Sequence, residues 1–147
     1  MNPPYGYMTH TSHSPEETQQ LAKDLVATFK GGEFVELLGD LGAGKTTFAQ
    51  GVGQALGVKR PLRSPTFTIM NIYKTDHSTI KQLVHIDCYR LQETCDLRAL
   101  ELEEWLGKPD TLILTEWPLK NMAGEIKTIR VTLESQSETL RTITINT

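Results

Sequence analysis

The stretch Gly39-Asp40-Leu41-Gly42-Ala43-Gly44-Lys45-Thr46 decides how this chain is read. It has the form Gly-x-x-x-x-Gly-Lys-[Ser/Thr], the phosphate-gripping P-loop, and each residue type in it has a task. Glycines let successive backbone N–H groups turn inward and make a concave nest for an anion. Lys45 adds a positive charge for the β and γ phosphates of a nucleotide, and the Thr46 hydroxyl can ligate Mg²⁺. A helix starting at this point adds the positive end of its dipole. Asp40, Leu41, Gly42, Ala43 and Gly44 with Lys45 and Thr46 are therefore the expected nucleotide contacts. A chance match in a chain of this length comes to roughly half a percent at average composition. Context lowers that, because the loop follows the apolar run Phe34-Val35-Glu36-Leu37-Leu38 and precedes a helical pattern over 45–56. No Asn-Lys-x-Asp segment, which GTPases use to read guanine, is present, so ATP is the expected nucleotide.

Outward from the loop, the pattern is that of one α/β domain over residues 14–147. Ser14-Pro15-Glu16-Glu17 starts a helix: Ser14 can cap, Pro15 suits the first helical position, and Glu17 stands where a capping box needs it. Leu21, Leu25, Val26 and Phe29 follow at helical spacing until Gly31-Gly32. Residues 67–73, 81–87 and 111–115 read as strands, and Leu97, Leu100, Leu102, Trp105 and Leu106 suggest a helix. Residues 126–133 and 140–145 alternate apolar with polar and predict a C-terminal β-hairpin. The fold class expected is a P-loop NTPase, three-layer α/β/α, with a mixed, mainly parallel sheet. Residues 1–13, rich in Pro, Gly, Ser, Thr and His, read as a flexible N-terminal tail.

Composition narrows the class further. With 147 residues, 38% hydrophobic and 22% charged, the chain is an ordinary globular protein. Its net charge of −3 argues against a nucleic-acid-coating role, which needs surplus Lys and Arg. No apolar run approaches the roughly 20 residues of a membrane span, and the first 13 residues lack the basic start and apolar stretch of a secretory signal. Cys88 and Cys95 are too few for a disulfide framework, so a reduced, cytoplasmic protein is expected.

P-loop enzymes also need a carboxylate at a strand end to hold Mg²⁺ directly or through water. Asp87 ends the run Leu83-Val84-His85-Ile86-Asp87, and Glu116 ends Leu112-Ile113-Leu114-Thr115-Glu116. Carboxyl ends of strands are where ligands sit in open α/β sheets. Glu116 is expected to hold Mg²⁺ or polarise the attacking water, with Asp87 supporting the metal shell; the two roles are not separable at this level. Between the loop helix and the next strand, Ser64 and Thr66 offer hydroxyls that can sense a γ-phosphate, and Arg63 can neutralise phosphate charge. An ordinary Pro-rich connector fits the same residues. Trp117 reads as a wall of the site or as packing, and Trp105 as core. His10, His13 and His85 read as structural or exposed.

Four segments in this order, 39–48, Ser64-Pro65-Thr66-Phe67-Thr68, His85-Ile86-Asp87-Cys88-Tyr89-Arg90-Leu91 and Glu116-Trp117-Pro118, resemble the TsaE (YjeE) family. The resemblance runs from about Ser14 to Pro118. It implies a Mg²⁺-dependent ATP-binding protein and weak ATPase of the bacterial machinery for threonylcarbamoyladenosine at position 37 of tRNA. Its partner would be a TsaB–TsaD heterodimer, with tRNA met only indirectly. By motif, Lys45, Thr46 and Thr47 correspond to phosphate and Mg²⁺ contacts, and Thr66 falls in a switch-like loop. Asp87, Glu116 and Trp117 match positions near the γ-phosphate, so the implied catalytic set is Lys45, Asp87 and Glu116. Ser14 to Thr18 is similar to a region that approaches the base. Cys88 and Thr115 stand where the family usually has apolar residues.

Two other functions use the same loop. A small-molecule kinase needs an acceptor pocket and an arginine-bearing lid; Arg60, Arg63, Arg90 and Arg98 are candidates, but no lid-like insertion follows the second half of the sheet. A nucleotide-gated binding module would hydrolyse ATP only incidentally.

Overall fold

The computed structural model describes residues 6–63, 69–91 and 101–147. Within them, seven strands and two α-helices follow in the order β1 (Tyr7–Ser12), α1 (Pro15–Val26), β2 (Phe34–Leu38), α2 (Lys45–Ala55), β3 (Met70–Lys74), β4 (Gln82–Asp87), β5 (Thr111–Glu116), β6 (Thr128–Ser135) and β7 (Arg141–Asn146). They form one sheet in the order β1-β7-β6-β2-β5-β4-β3. The central pairings, β6 with β2, β2 with β5 and β5 with β4, are parallel. The outer three, β1 with β7, β7 with β6 and β4 with β3, are antiparallel. The sheet is thus mixed, with its parallel part confined to the centre. Buried strands covered on both faces read as continuous apolar runs, and that is why β2, β4 and β5 stand out in the sequence.

One face carries Val35, Leu37, Leu83, Leu112, Leu114, Val131 and Leu133 against α1 and α2. The other carries Phe34, Val84, Ile86 and Ile113 against Leu102, Leu119, Met122 and Ala123. Of the helix expected around 97–106, residues 97 and 100 lie outside the described residues, and Leu102–Glu104 is a single 3₁₀ turn. The cover of this face is therefore built, among the described residues, from turns rather than a long helix. Trp105 packs against it, partly buried, with Lys108 Nζ 4.8 Å from its ring centre. Cys88 is fully buried here; burial pushes its thiol up to about 11, which leaves it protonated and inert at neutral pH.

The N-terminal segment departs from the expected tail. Residues 7–12 are strand β1, paired in register from Tyr7 with Asn146 to Ser12 with Arg141. The unpaired edge of β7 supplies the backbone partners, and Ser12, fully buried, anchors the end of the strand. Its hydroxyl lies 2.7 Å from Thr18 Oγ1 and donates to the Ser14 carbonyl at 2.9 Å. The folded unit therefore begins before Ser14. Residues 1–5 lie outside the described residues.

Helix α1 starts as its sequence predicts at Ser14, whose Oγ accepts the Glu17 N–H at 3.1 Å. The reciprocal half of the capping box is displaced by one residue. The Glu17 carboxylate takes the N–H of His13, at 2.7 Å, rather than that of the cap, and this bond holds its pKa below the usual value. Helix α2 is different in kind. It has no capping side chain and no acidic residue in its first turn, and its cap, Gly44, is left-handed at φ 105°.

Two interior glycines let α2 sit close to its neighbours. A Cβ on Gly51 would meet Gln19 O at 2.7 Å and Ala22 Cβ at 2.8 Å, whereas one on Gly53 would meet only the tip of Leu62. An alanine gains roughly 1 kcal/mol of helix propensity at either place. At Gly51 that gain is outweighed by overpacking against backbone, about 1–3 kcal/mol. Urea unfolding should find Gly51→Ala destabilised and Gly53→Ala near neutral; equal stability of the two variants would contradict the close crossing of α1 and α2.

Candidate functional site

The parallel register brings three strand ends level. Leu37 of β2 stands opposite Glu116 of β5, and Glu116 stands opposite Asp87 of β4. The glycine loop leaves β2 two residues later, so loop and carboxylates share the carboxyl edge of the sheet. Gly39 takes φ 147°, and a Cβ there would lie 2.4 Å from Leu133 O, so only glycine fits where the loop leaves the strand. Gly42 and Gly44 follow at φ 81° and 105°. The loop hands directly into the uncapped first turn of α2, whose N–H groups remain available to an anion.

Lys45 is the first residue of α2 and is only 6% exposed. Its Nζ donates to the carbonyls of Gly39 and of Asp40, the latter at 2.9 Å, and lies 4.5 Å from the centre of the Trp117 ring. Burial pushes the ammonium pKa down, while the charges of Glu116, Asp87 and Asp40 pull it back up. Two of its three donors go to the loop's carbonyls, and its charge faces the carboxylate edge.

A cleft of about 320 Å³ opens beside it. Of the expected residues, Leu41, Gly42, Gly44, Lys45, Thr46, Thr47, Asp87, Glu116 and Trp117 line this cleft. Asp40 lines an adjoining hollow of about 260 Å³ shared with Trp117. Ala43 does not face the cleft: it is buried beneath the loop, and its N–H donates to the Asp40 carbonyl at 3.1 Å. Thr66, with Ser64, lies outside the described residues. A larger hollow of about 730 Å³ lies elsewhere, between α1 and the strand ends near Gly6 and Thr147, lined largely by apolar side chains such as Leu21, Leu25, Phe29 and Ile145. It lacks the loop and the carboxylate pair, so its size does not make it the chemical site.

The two carboxylates are held differently. Asp87 Oδ1 accepts the N–H of Tyr89 at 2.9 Å, a turn that begins the 3₁₀ segment Tyr89–Leu91. Glu116 is 3% exposed, and its Oε2 lies 2.7 Å from His85 Nε2. Trp117, next in the chain, has φ 51°, a conformation that costs energy for a bulky side chain and is concentrated at functional sites. That backbone turn lays the indole over Lys45 and edge-on to Tyr89, 5.0 Å away at 68°. Trp117 is a wall of the cleft.

Sequence reasoning missed two residues. His85, taken as structural or exposed, is buried and touches Glu116. Counting by twos along β4 would have put it on the face of Asp87. Arg141, at the start of β7, lines the cleft and donates to the Gly42 carbonyl at 3.3 Å, while its other amine donates to Ser137 O at 2.6 Å and Leu140 O at 3.1 Å. Nothing local in the hairpin sequence signals a contact with the loop.

Thr46, Asp87 and Glu116 give an oxygen-only donor set, one hydroxyl and two carboxylates. That fits Mg²⁺, which is held by few protein oxygens and completed by water and phosphate. No cluster of three or more His, Cys, Asp or Glu suited to a metal exists among the described residues.

The sequence model of the family described as "Threonylcarbamoyl adenosine biosynthesis protein TsaE" matches residues 12–143. The chain belongs to the TsaE family. It is 41% identical over 115 residues to the tRNA threonylcarbamoyladenosine biosynthesis protein TsaE of Aquifex aeolicus, covering 77% of this chain and 78% of that one. With the TsaE protein of Bacillus subtilis it shares 40% over 104 residues, 71% of this chain but 62% of the relative. The crystal structure of YdiB from Bacillus subtilis superposes with a TM-score of 0.73 at 30% identity, covering 96% of this chain and 85% of that one. This likeness covers more of the chain than the segments that carry the motifs. The fold is thus that of the P-loop NTPases, as the loop predicts.

The Lys45–Trp117 contact has an optical consequence. In a Trp105→Phe protein, where Trp117 is the sole indole, Lys45→Met should change the emission intensity and maximum, because a cation leaves the ring face. An unchanged spectrum would mean that the contact does not persist in solution.

Proposed function

We propose that this TsaE-family chain is a Mg²⁺-dependent ATP-binding protein and weak ATPase. It serves the threonylcarbamoyladenosine modification of tRNA at position 37 by acting on a TsaB–TsaD-like complex in the cytoplasm. The observation that carries the reading is the meeting of a buried P-loop lysine with two carboxylates on level strand ends. The names of the Aquifex and Bacillus relatives support the pathway. The absence of any long apolar helix among the described residues accords with action off the membrane.

Phosphoryl transfer to water asks little covalent chemistry of the protein, so catalysis rests on positioning and charge. The loop N–H groups and Lys45 hold the phosphates. Mg²⁺, when bound, neutralises phosphate charge and draws electrons from the bond that breaks. Thr46 and Asp87 are suited to hold that ion, and Glu116, beside Asp87 on the same strand edge, to accept a proton from the attacking water. Arg141 steadies the loop through Gly42 and adds a second positive charge beside the phosphates. Leu41 of the cleft is exposed, as is Tyr89 against Trp117, and docking of the partner complex there would speed an otherwise weak hydrolysis.

Lys45→Ala should lower ATP affinity or turnover by about tenfold or more, since it removes the buried cation. Glu116→Gln should cut hydrolysis by a similar or larger factor while leaving ATP binding within about threefold, as expected for loss of a proton acceptor. Arg141→Ala should weaken ATP binding more than it slows bound ATP. The deciding experiment measures ATP hydrolysis by the chain alone and with TsaB–TsaD counterparts, with threonylcarbamoyladenosine on tRNA as readout. Repeated modification only in the presence of this chain and ATP supports the reading. Hydrolysis with no effect on modification overturns the tRNA role, and transfer to a small-molecule acceptor would replace it with a kinase.

A further inference from the structure

We infer that His85 is the positioning residue of Glu116, fixing which carboxylate oxygen the end of β5 presents to the cleft. This rests on the ATPase reading for its consequence, but the contact itself does not. His85 Nε2 and Glu116 Oε2 are 2.7 Å apart, and the two side chains are 1% and 4% exposed. In the parallel register of β4 and β5, His85 stands opposite Leu114 and Asp87 opposite Glu116. His85 thus lies on the face of Glu116, one pleat back from the sheet edge, where it meets the carboxylate from behind.

The second ring nitrogen decides the tautomer. His85 Nδ1 is buried and has no hydrogen-bond partner among the described residues. With the proton on Nε2, the ring donates to the carboxylate and Nδ1 keeps a lone pair. With the proton on Nδ1, an N–H donor would be orphaned and two acceptors would face each other across 2.7 Å, the costlier arrangement. The 2.7 Å contact therefore favours a proton on Nε2, which makes that nitrogen the donor. One oxygen of Glu116 is taken, and the other is left for the cleft.

A long carboxylate at this place needs such a restraint. Glu116 is the largest of the charges acting on Lys45, yet Lys45 spends its hydrogen bonds on the carbonyls of Gly39 and Asp40. No ion pair joins Lys45 to Glu116 among the described residues. If the carboxylate swung onto the ammonium, both the phosphate-binding charge and the proton acceptor would be lost to each other. His85 keeps them apart by holding the carboxylate on the β4 side. It acts through Glu116 and touches no reacting atom, so it positions rather than catalyses.

The test compares His85→Gln, whose amide N–H reaches about as far as Nε2, with His85→Asn, which is too short, and His85→Leu, which fills the space without a donor. Equilibrium ATP binding, single-turnover hydrolysis and thermal melting are read for each. Leu and Asn should slow hydrolysis by about tenfold or more with ATP affinity held within about threefold, and Gln should recover most of the rate. His85→Leu added to Glu116→Gln should cost nothing further, because the two act as one unit. Full additivity, or an undiminished rate in both His85→Leu and His85→Asn, overturns the inference. If His85→Leu fails to fold, the Gln-against-Asn comparison carries the same test. A readout independent of turnover is the ¹⁵N spectrum of the His85 ring in the unaltered chain. A protonated Nε2 and bare Nδ1, with the Nε2 signal moved by Glu116→Gln, supports the contact even if the chain hydrolyses no ATP; an Nδ1–H tautomer overturns it.

Discussion

The register of three parallel strands is the constraint on which the rest of the site depends. Because β2, β5 and β4 run the same way and their last residues stand level, a loop leaving the first and carboxylates ending the other two share one edge. A slip of a single residue would turn Glu116 or Asp87 to the opposite face. That slip is opposed from both sides of the sheet at once, since each face of β2 and β5 is packed into a separate apolar cluster. The precision of the site is thus inherited from the hydrophobic alternation of strands that touch no ligand.

Electrostatics then refines what register supplies. The site gathers one buried cation, two carboxylates and an arginine in about 320 Å³, and each is tethered in its own way: Lys45 to loop carbonyls, Asp87 to a turn, Glu116 to an imidazole, Arg141 to the hairpin bend. Opposite charges so close in a partly dry setting would otherwise collapse into ion pairs. Lys45 is held by backbone carbonyls and Glu116 by an imidazole, so the described contacts of these two do not pair them with each other. The contrast between the two helices follows the same logic. The start of α1 is finished by Ser14, Glu16 and Glu17, whereas α2 begins bare.

Much of this was legible in the chain because it is local. Glycine spacing gave the loop, unbroken apolar runs gave β2, β4 and β5, and period-two alternation gave the hairpin. What stayed hidden depends on distant pairing. The composition of residues 7–12 reads as loop, and only the open edge of β7 makes it a strand. Leu97 to Leu106 carry helical spacing, but the described part forms a 3₁₀ turn, since the apolar side chains there serve a flat cover rather than a helical face. His85 has no partner within its own segment; Glu116 reaches it through sheet register. Arg141 meets Gly42 across most of the domain. The residues announced by motif line the cleft, and those missed touch them from behind or from the hairpin.

Pairing between the two ends of the chain carries a consequence for biogenesis. β1 is synthesised well before β7, the strand it pairs with. Closing so long a loop is entropically costly, and such contacts form late in folding. Arg141 reaches the Gly42 carbonyl from the first residue of that same strand. The phosphate loop therefore gains its clamp in the step that seals the sheet edge, and a nascent chain stalled before the hairpin would carry the P-loop motif without its finished grip.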